Sequence, residues 1–567
     1  MNDFEYQANY IKQNANRIIW MQDRHPLSPS YGCFHYSHWR DKVSEFADIR
    51  FQEAGAALAL LAHPLLHEPS LPMKEALYKA FSAGVVFWNR QQHSDGSFDE
   101  WYKNEHGFAA TTFSLIAYGL AIYFLADKIE QEDKKILLQT AEKAANWLLK
   151  HDDFVKMNHQ AAGAAALAIA YKICGKEAFL NEAVRKHQTV LKAQTDEGWF
   201  NEIAGMDLGY CSVLLDYMML YHYITKDNSG LEAMKKLYAF IFPFIQPDIT
   251  ISPEAGICLN PYVSRLGTLL LSEHSPEAAS VAKAMDSQSA GFSGIEPYLA
   301  DDLRLCRWGY LPLITYIIRE QMKAEFRFAK ACNVQVINSE GAAFYEQAGV
   351  FSYKSKGLHC IFMPAGGGGI RIFYQGNNSV DIYSYEDLGY FYDDPSWTKY
   401  KMFTGGYKNT RKIEKDSNTV TAYIRFAPAK FFFPPFIARL ILRIGCSIPY
   451  LSYWLRWLID VYRKKKGTAI NQSVAPLSEK SLGIILKRRL IMEGSTLKIT
   501  DEIACENNSF RLNLRHLHPL IFSSKGIAEP PGLFDSLGTD KVESVIITKE
   551  IRTSDKGFSF SFSAKGK

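Results

Sequence analysis

The chain has 567 residues, of which 47% are hydrophobic, 14% aromatic and 22% charged, with a formal net charge of +4. At roughly 100–200 residues per domain this suggests two to four domains, and the composition excludes disorder, collagen-like repeats and disulfide mini-scaffolds. So weak a net charge makes no case for nucleic acid as a partner.

The amino terminus, Met-Asn-Asp-Phe-Glu-Tyr-Gln, is acidic and polar, with no apolar run ahead of a cleavage site. Nine scattered cysteines contain no Cys-x-x-Cys, which excludes a zinc ribbon or thioredoxin-type site and fits a reducing compartment. No stretch of eighteen uncharged apolar residues stands out, so no ordinary transmembrane helix is expected. The expected location is cytoplasmic, peripheral at the inner face of the membrane.

From about residue 50 to 325 the periodicity is helical. Ala54–Leu66, Lys74–Trp88, Ala109–Ala126, Leu137–Leu149, Ala161–Cys174, Ala183–Ala193, Tyr210–Ile224 and Gly230–Phe244 have apolar residues at helical spacing. Helices of similar length joined by short loops read as an array of helical hairpins. Two loops resemble each other, Gln92-His93-Ser94-Asp95-Gly96-Ser97-Phe98 and Gln194-Thr195-Asp196-Glu197-Gly198-Trp199-Phe200. Such turns recur in α/α toroids, and their glycines permit positive φ.

After residue 325 the pattern alternates, with β-branched and aromatic runs. Leu358–Met363, Ile370–Tyr374, Ser379–Tyr385, Thr419–Phe426, Leu482–Met492, Thr496–Ile503, Ser509–His516, Val545–Ile551 and Phe558–Ser563 read as strands. The fold class expected is therefore an α/α toroid over 1–325, then an antiparallel β-sandwich over 326–567. Gly366–Gly369 lack the Gly-Lys-Ser/Thr of a phosphate loop and read as a hairpin turn. Residues 429–466 break the β pattern. The longest uncharged run there, Ile444–Leu455, is twelve residues, too short to span a bilayer. It joins Phe431–Phe433, Trp454 and Trp457 to Arg439, Arg443, Arg456 and Arg463–Lys466, the composition of an interfacial membrane anchor. Phe432, Trp454, Trp457 and Arg456 are the expected membrane contacts. The alternative is an insertion packed on the helical domain.

Three polar segments open inferred helices: Tyr102–Gly107, Met157–Gln160 and Asn201–Tyr210. Singly, an Asn there is often a helix cap, a His a satisfied core residue and a Tyr a core aromatic. Together, an Asn-His pair opening a small-residue helix, then Asp-x-Gly, Glu and Tyr some fifty residues on, resembles the heparinase II/III-like group of polysaccharide lyases. The order of toroid and β-sandwich is also theirs. The resemblance implies that Asn158 binds the uronate carboxylate, that His159 serves as base or positions the sugar, and that Tyr210 is the acid. It implies a cavity histidine at His106, and Glu105, Glu202 and Arg265 as substrate-binding residues. A histidine from the β domain would come from His516 or His518. Ser264-Arg265 is followed by Leu266-Gly267, a partial match to the group's Ser-Arg-Asn-Thr signature. Asp207 stands where a carboxylate would repel a polyuronate.

These residue types suit the chemistry. The C5 proton of a uronate becomes acidic once its carboxylate charge is stabilised. A base can then take that proton while an acid protonates the departing O4. The expected function is thus β-elimination on a uronate-containing anionic polysaccharide or lipid-linked glycan. A C5-epimerase shares the first step. A glycoside hydrolase would pair Glu105 with Glu202 or Asp207. A non-catalytic glycan-binding or assembly protein is the third possibility. No cofactor is expected, and His516 and His518 leave a divalent cation in the β domain open.

Overall fold

The computed structural model describes the chain outside residues 67–69, 203–204, 247–248, 253–255, 257–259, 288–298, 300, 323–339, 376–381, 393–401, 405–409, 429–434, 450, 453, 455–456, 459–482, 495, 507–509, 512–513, 517–519, 524–525, 529–540, 555–556 and 567. Its helices are α1 (Asp3–Gln13), α2 (Ala15–Trp20), α3 (Tyr36–Trp39), α4 (Glu53–Leu60), α5 (Leu71–Gln91), α6 (Phe108–Leu125), α7 (Gln131–Leu148) and α8 (Met157–Cys174). They continue as α9 (Glu177–Lys192), α10 (Leu208–Thr225), α11 (Leu231–Ile241), α12 (Arg265–Leu271), α13 (Pro276–Ser287), α14 (Asp302–Trp308) and α15 (Tyr310–Met322).

Helices α4, α6, α8, α10, α12 and α15 pack each on the next, and α15 returns to α4, closing an inner ring. Ring helices are enclosed on all sides, so their sequences are apolar or small all round. Ten consecutive residues of α8, Ala161–Ala170, are buried. Small residues let the ring close up: a Cβ on Gly119 of α6 would sit 2.6 Å from Ile169 Cγ2 of α8. The outer helices show one apolar stripe instead, as in α9, which buries Phe179, Ala183, Lys186, His187 and Val190. Helix α6 has the length and apolarity of a membrane span, against the expectation that no such stretch exists. The ring buries it: 83% of that helix lies inside the protein. Helix α1 packs on α13 and α15 and buries Phe4, Ala8 and Ile11.

The repeated turn is the same device twice. Gln92 Nε2 donates to Gly96 O (3.0 Å) and, across to α7, to Thr140 O (2.9 Å). Gln194 Nε2 donates to Gly198 O (2.9 Å) and, across to α11, to Ala233 O (2.8 Å). Both glycines have positive φ, +98° and +100°. A Cβ on either would stand within 2.6 Å of an outer-helix carbonyl. The turns therefore fasten one helical hairpin to the next.

Strands begin at Gly341, so the expected boundary at 325 falls outside the described residues. A seven-stranded sheet runs in the order Gly341–Tyr345, Val350–Ser355, Leu358–Met363, Gly369–Gln375, Ile382–Asp387, Leu520–Ser523, Gly526–Ala528. A six-stranded sheet runs Gly557–Gly566, Ser544–Ser554, Thr496–Cys505, Ile484–Glu493, Thr419–Arg425, Thr410–Lys415. Neighbours in both are antiparallel. Gly367 and Gly368, both at positive φ, turn the hairpin between Leu358–Met363 and Gly369–Gln375.

Every residue of Leu358–Met363 is buried because the first sheet has no free face there. Cys360 and Phe362 join the core between the sheets, while Ile361 and Met363 join the core of the helical half. Polar contacts secure that junction. Glu197 accepts from the N–H groups of Gln347 (2.8 Å) and Ala348 (2.9 Å), and Ser352 Oγ donates to Pro243 O (2.6 Å).

Candidate functional site

The loops that open α6, α8 and α10 meet on one rim of the ring. Lys156 and Glu202 form a β-bridge, as do Phe98 with Gly107 and Glu202 with Gly205. The first bridge joins the loop before α8 to the loop before α10, which brings Asn158 and His159 alongside the segment leading to Tyr210.

Asn158 is 1% exposed, and Glu202 fixes it twice. Its backbone N–H donates to Glu202 Oε1 (2.8 Å) and its side-chain Nδ2 to Oε2 (2.7 Å). Asn158 Oδ1 finds no protein partner among the described residues. Burial, reinforced by the nearby Asp207 and Asp153, raises the Glu202 carboxyl well above its ordinary range despite the hydrogen bonds from Asn158.

His159 is one residue further into α8. Its Nδ1 lies 2.9 Å from Asp153 Oδ2, and its ring stands edge-on to Phe113, centroids 5.6 Å apart. Asp153 is held in place by the N–H groups of Val155 (3.0 Å) and Lys156 (3.1 Å), while its own N–H donates to Gln160 Oε1 (3.1 Å). Burial pushes the Asp153 carboxyl up, but His159 and these donors hold it at about 2. Burial pulls the His159 imidazole below its usual value, against the opposing pull of Asp153. A neutral ring donating Nδ1–H to Asp153 presents Nε2 as a proton acceptor.

Tyr210 is half-buried in the first turn of α10. Asp207 caps that helix by accepting the Tyr210 N–H (2.9 Å), and it is fully buried. The carboxylate expected to repel a polyuronate is thus spent on a helix terminus.

Other expected site residues have structural engagements. His106 Nδ1 lies 2.8 Å from Asp95 Oδ2 and 2.7 Å from Ser97 Oγ, and its ring stacks on His93 at 4.1 Å. Its backbone is left-handed, φ +51°, and its N–H donates to Asp99 (3.0 Å). These contacts organise the loop before α6 around the expected cavity histidine. Glu105 Oε2 accepts from the N–H groups of Glu100 (2.9 Å) and Trp101 (2.7 Å), which ties it to its own loop. Glu202 positions Asn158. Arg265 Nε donates to Asp3 Oδ2 (2.7 Å), a buried ion pair that clamps α12 to α1. His516 lies in the strand Leu514–His516 opposite Tyr390. His518, Phe432 and Arg456 fall outside the described residues. Among the described residues no group of three or more His, Cys, Asp or Glu is placed to hold a metal.

One network escaped the sequence reading. Arg50 Nε pairs with Glu53 (2.5 Å), Arg307 Nη1 with Glu100 (3.1 Å), and Arg307 Nη2 with Asp48. The Arg50 guanidinium lies 4.1 Å over the Phe113 ring, the same ring that abuts His159. Burial lifts the Glu53 carboxyl to about 7. The available signal was a pair of lone arginines in apolar runs, Ile49-Arg50-Phe51 and Cys306-Arg307-Trp308.

A family model for the ulvan lyase N-terminal domain matches residues 62–252, the segment that carries Asn158, His159 and Tyr210. No curated protein matches the sequence. The fold is similar to that of the chondroitin AC lyase of Streptomyces coelicolor A3, solved in complex with chondroitin sulphate, with a TM-score of 0.52. Identity there is 8%, over 91% of this chain and 67% of that one. Another chondroitinase AC lyase structure reaches a TM-score of 0.44 at 10% identity, covering 98% of this chain and 80% of that one. A β-L-arabinofuranosidase from Geobacillus stearothermophilus T6 reaches 0.35 at 10% identity, covering 100% and 95%. At those scores neither of the last two bears on the site. The architecture, a toroid followed by antiparallel β-sheets, is polysaccharide lyase-like.

Proposed function

We propose that this protein is a polysaccharide lyase of the heparinase II/III-like type, breaking a uronate-containing glycan by β-elimination. The observation that carries the reading is the pairing of His159 with Asp153 beside Asn158, at the rim where Tyr210 opens α10. The Asn158 amide binds the substrate carboxylate, and the raised pKa of Glu202 behind it lessens the repulsion. His159 Nε2 takes the C5 proton. The C5–H electron pair becomes the C4–C5 double bond, the C4–O4 bond breaks, and the Tyr210 hydroxyl supplies the proton to O4. Water restores Tyr210 as His159 releases its proton.

The buried carboxylates argue against hydrolysis. Glu105, Glu202 and Asp207 are each committed to hydrogen bonds within the protein, whereas a hydrolase needs two carboxyl groups facing the scissile bond. The substrate is expected to be a uronate-bearing polysaccharide or lipid-linked glycan. The test is ultraviolet absorbance of the unsaturated uronyl product from a panel of uronate-containing glycans, with C5 deuterium exchange followed in parallel. Wild type should generate the chromophore, and Tyr210→Phe and His159→Ala should each lose on the order of 10²-fold or more. A saturated product would assign hydrolysis, exchange without cleavage would assign epimerisation, and full activity in Tyr210→Phe would remove the proposed acid.

A further inference from the structure

Helix α16 (Phe436–Ser447) is held to the toroid along one side. Asn104 Nδ2 donates to Cys446 O (2.8 Å), Ser452 Oγ donates to Asn104 O (2.5 Å), and Arg443 pairs with Glu45. Gly445 is its buried residue. The opposite side is bare. Phe436, Ile437, Ile441 and Ile444 are 72%, 68%, 62% and 57% exposed, and beyond the helix Trp454 and Trp457 are 55% and 49% exposed. At about 100° per residue these helix positions share one face, with Arg439 and Arg443 along one edge of it. A soluble surface rarely exposes so many large apolar side chains side by side.

We propose that this face lies on an anionic lipid bilayer, with the aliphatic side chains and tryptophans in the headgroup–acyl boundary and the basic residues against lipid phosphate. Charge complementarity selects the bilayer. Residues 429–466 hold eight Lys or Arg against Asp460 alone, a local +7 on a chain whose remainder is −3. A second copy of this chain carries the same excess of positive charge in this segment, whereas an anionic surface is of opposite sign. Aromatic residues mixed with basic ones, on a segment too short to span, are the pattern of an in-plane anchor. The hydrogen bonds to Asn104 fix the anchor to the loop before α6, so the bilayer would lie against the rim that carries the candidate site. This inference stands on the exposed face and its charge, whatever chemistry the site performs.

The experiment is cosedimentation of the full chain with large unilamellar vesicles of phosphatidylcholine alone, or of phosphatidylcholine with phosphatidylglycerol, at low and high salt. Wild type should sediment with the phosphatidylglycerol vesicles, more weakly at high salt and least with phosphatidylcholine. Ile437→Asp with Ile441→Asp should cut binding by about tenfold or more, since two aliphatic side chains leave the apolar phase. Both positions are exposed, so the circular dichroism spectrum and melting temperature should match wild type. Lys464→Ala, Lys465→Ala and Lys466→Ala together should weaken binding and flatten its salt dependence. Wild type remaining in the supernatant at low salt, or the double Asp variant binding as wild type does, would overturn the proposal. So would a dimer that the double variant dissolves with no vesicle binding.

Discussion

Asp153 and Glu202 are the carboxyl groups bonded to His159 and Asn158, and their surroundings drive them in opposite directions. Asp153 faces an imidazole and backbone donors and is held ionised down to about 2. Its folded pKa lies below the unfolded value, so its contribution to stability is present above about pH 4 and is lost as pH falls through about 2. Asp153→Asn should flatten that acid limb, measured as unfolding midpoint against pH, and should lower turnover by roughly 10²-fold by releasing the His159 tautomer. Glu202 is raised, chiefly by burial. Its contribution is full below its unfolded value of about 4.5 and is lost as pH rises through the folded one. Glu202→Gln should therefore gain on wild type in chemical denaturation as pH goes from about 5 to about 8, and an advantage that shrinks with pH would refute the upward shift. Asn158, His159 and Tyr210 were legible because they stand at helix starts, where polar residues interrupt apolar periodicity. Asp153 was not singled out, because nothing in Asp152-Asp153-Phe154 separates a histidine's partner from a loop acid.

Among the elements, the two β-sheets share a buried charge cluster that alternation alone does not announce. Arg488 donates from Nε to Asp501 Oδ1 (2.7 Å) and from Nη2 to Asp387 (3.1 Å), and Lys549 reaches both carboxylates. Tyr390 adds a hydroxyl to Asp501 (2.6 Å). All four charged side chains are fully buried, so two cations and two anions balance inside a dry core. Removing one cation leaves a net buried charge. Lys549→Met should cost about 3–5 kcal/mol in denaturant unfolding. A loss under about 1 kcal/mol would show that water or a rearranged Arg488 relieves the imbalance. The strands bearing these residues were readable from period-2 alternation. The charge pairing was not, since Asp387 and Arg488 come from different sheets.

For the molecule as a whole, the sheet–toroid junction carries a pH response. His359 Nε2 lies 3.0 Å from Pro243 O and 3.1 Å from Ser352 Oγ, fully enclosed. Burial, with Lys354 nearby, keeps its pKa well below 6.5. The unfolded chain takes up a proton near pH 6.5 that the folded junction refuses, so stability falls as pH drops below that value, by at most about 1.4 kcal/mol per unit. His359→Gln should remove that slope in unfolding measurements between about pH 6.5 and pH 5. An unchanged slope would place the response elsewhere. The sequence by itself determined the architecture in outline. Helices enclosed by a ring must be apolar all round, strands between a core and solvent must alternate, and the +7 insert breaks both patterns. Only the tertiary structure decided which polar groups meet. Glu202 reaches Asn158 across 44 positions and Arg265 reaches Asp3 across 262. Ring closure makes those contacts, and a contact between distant positions leaves no trace in local periodicity.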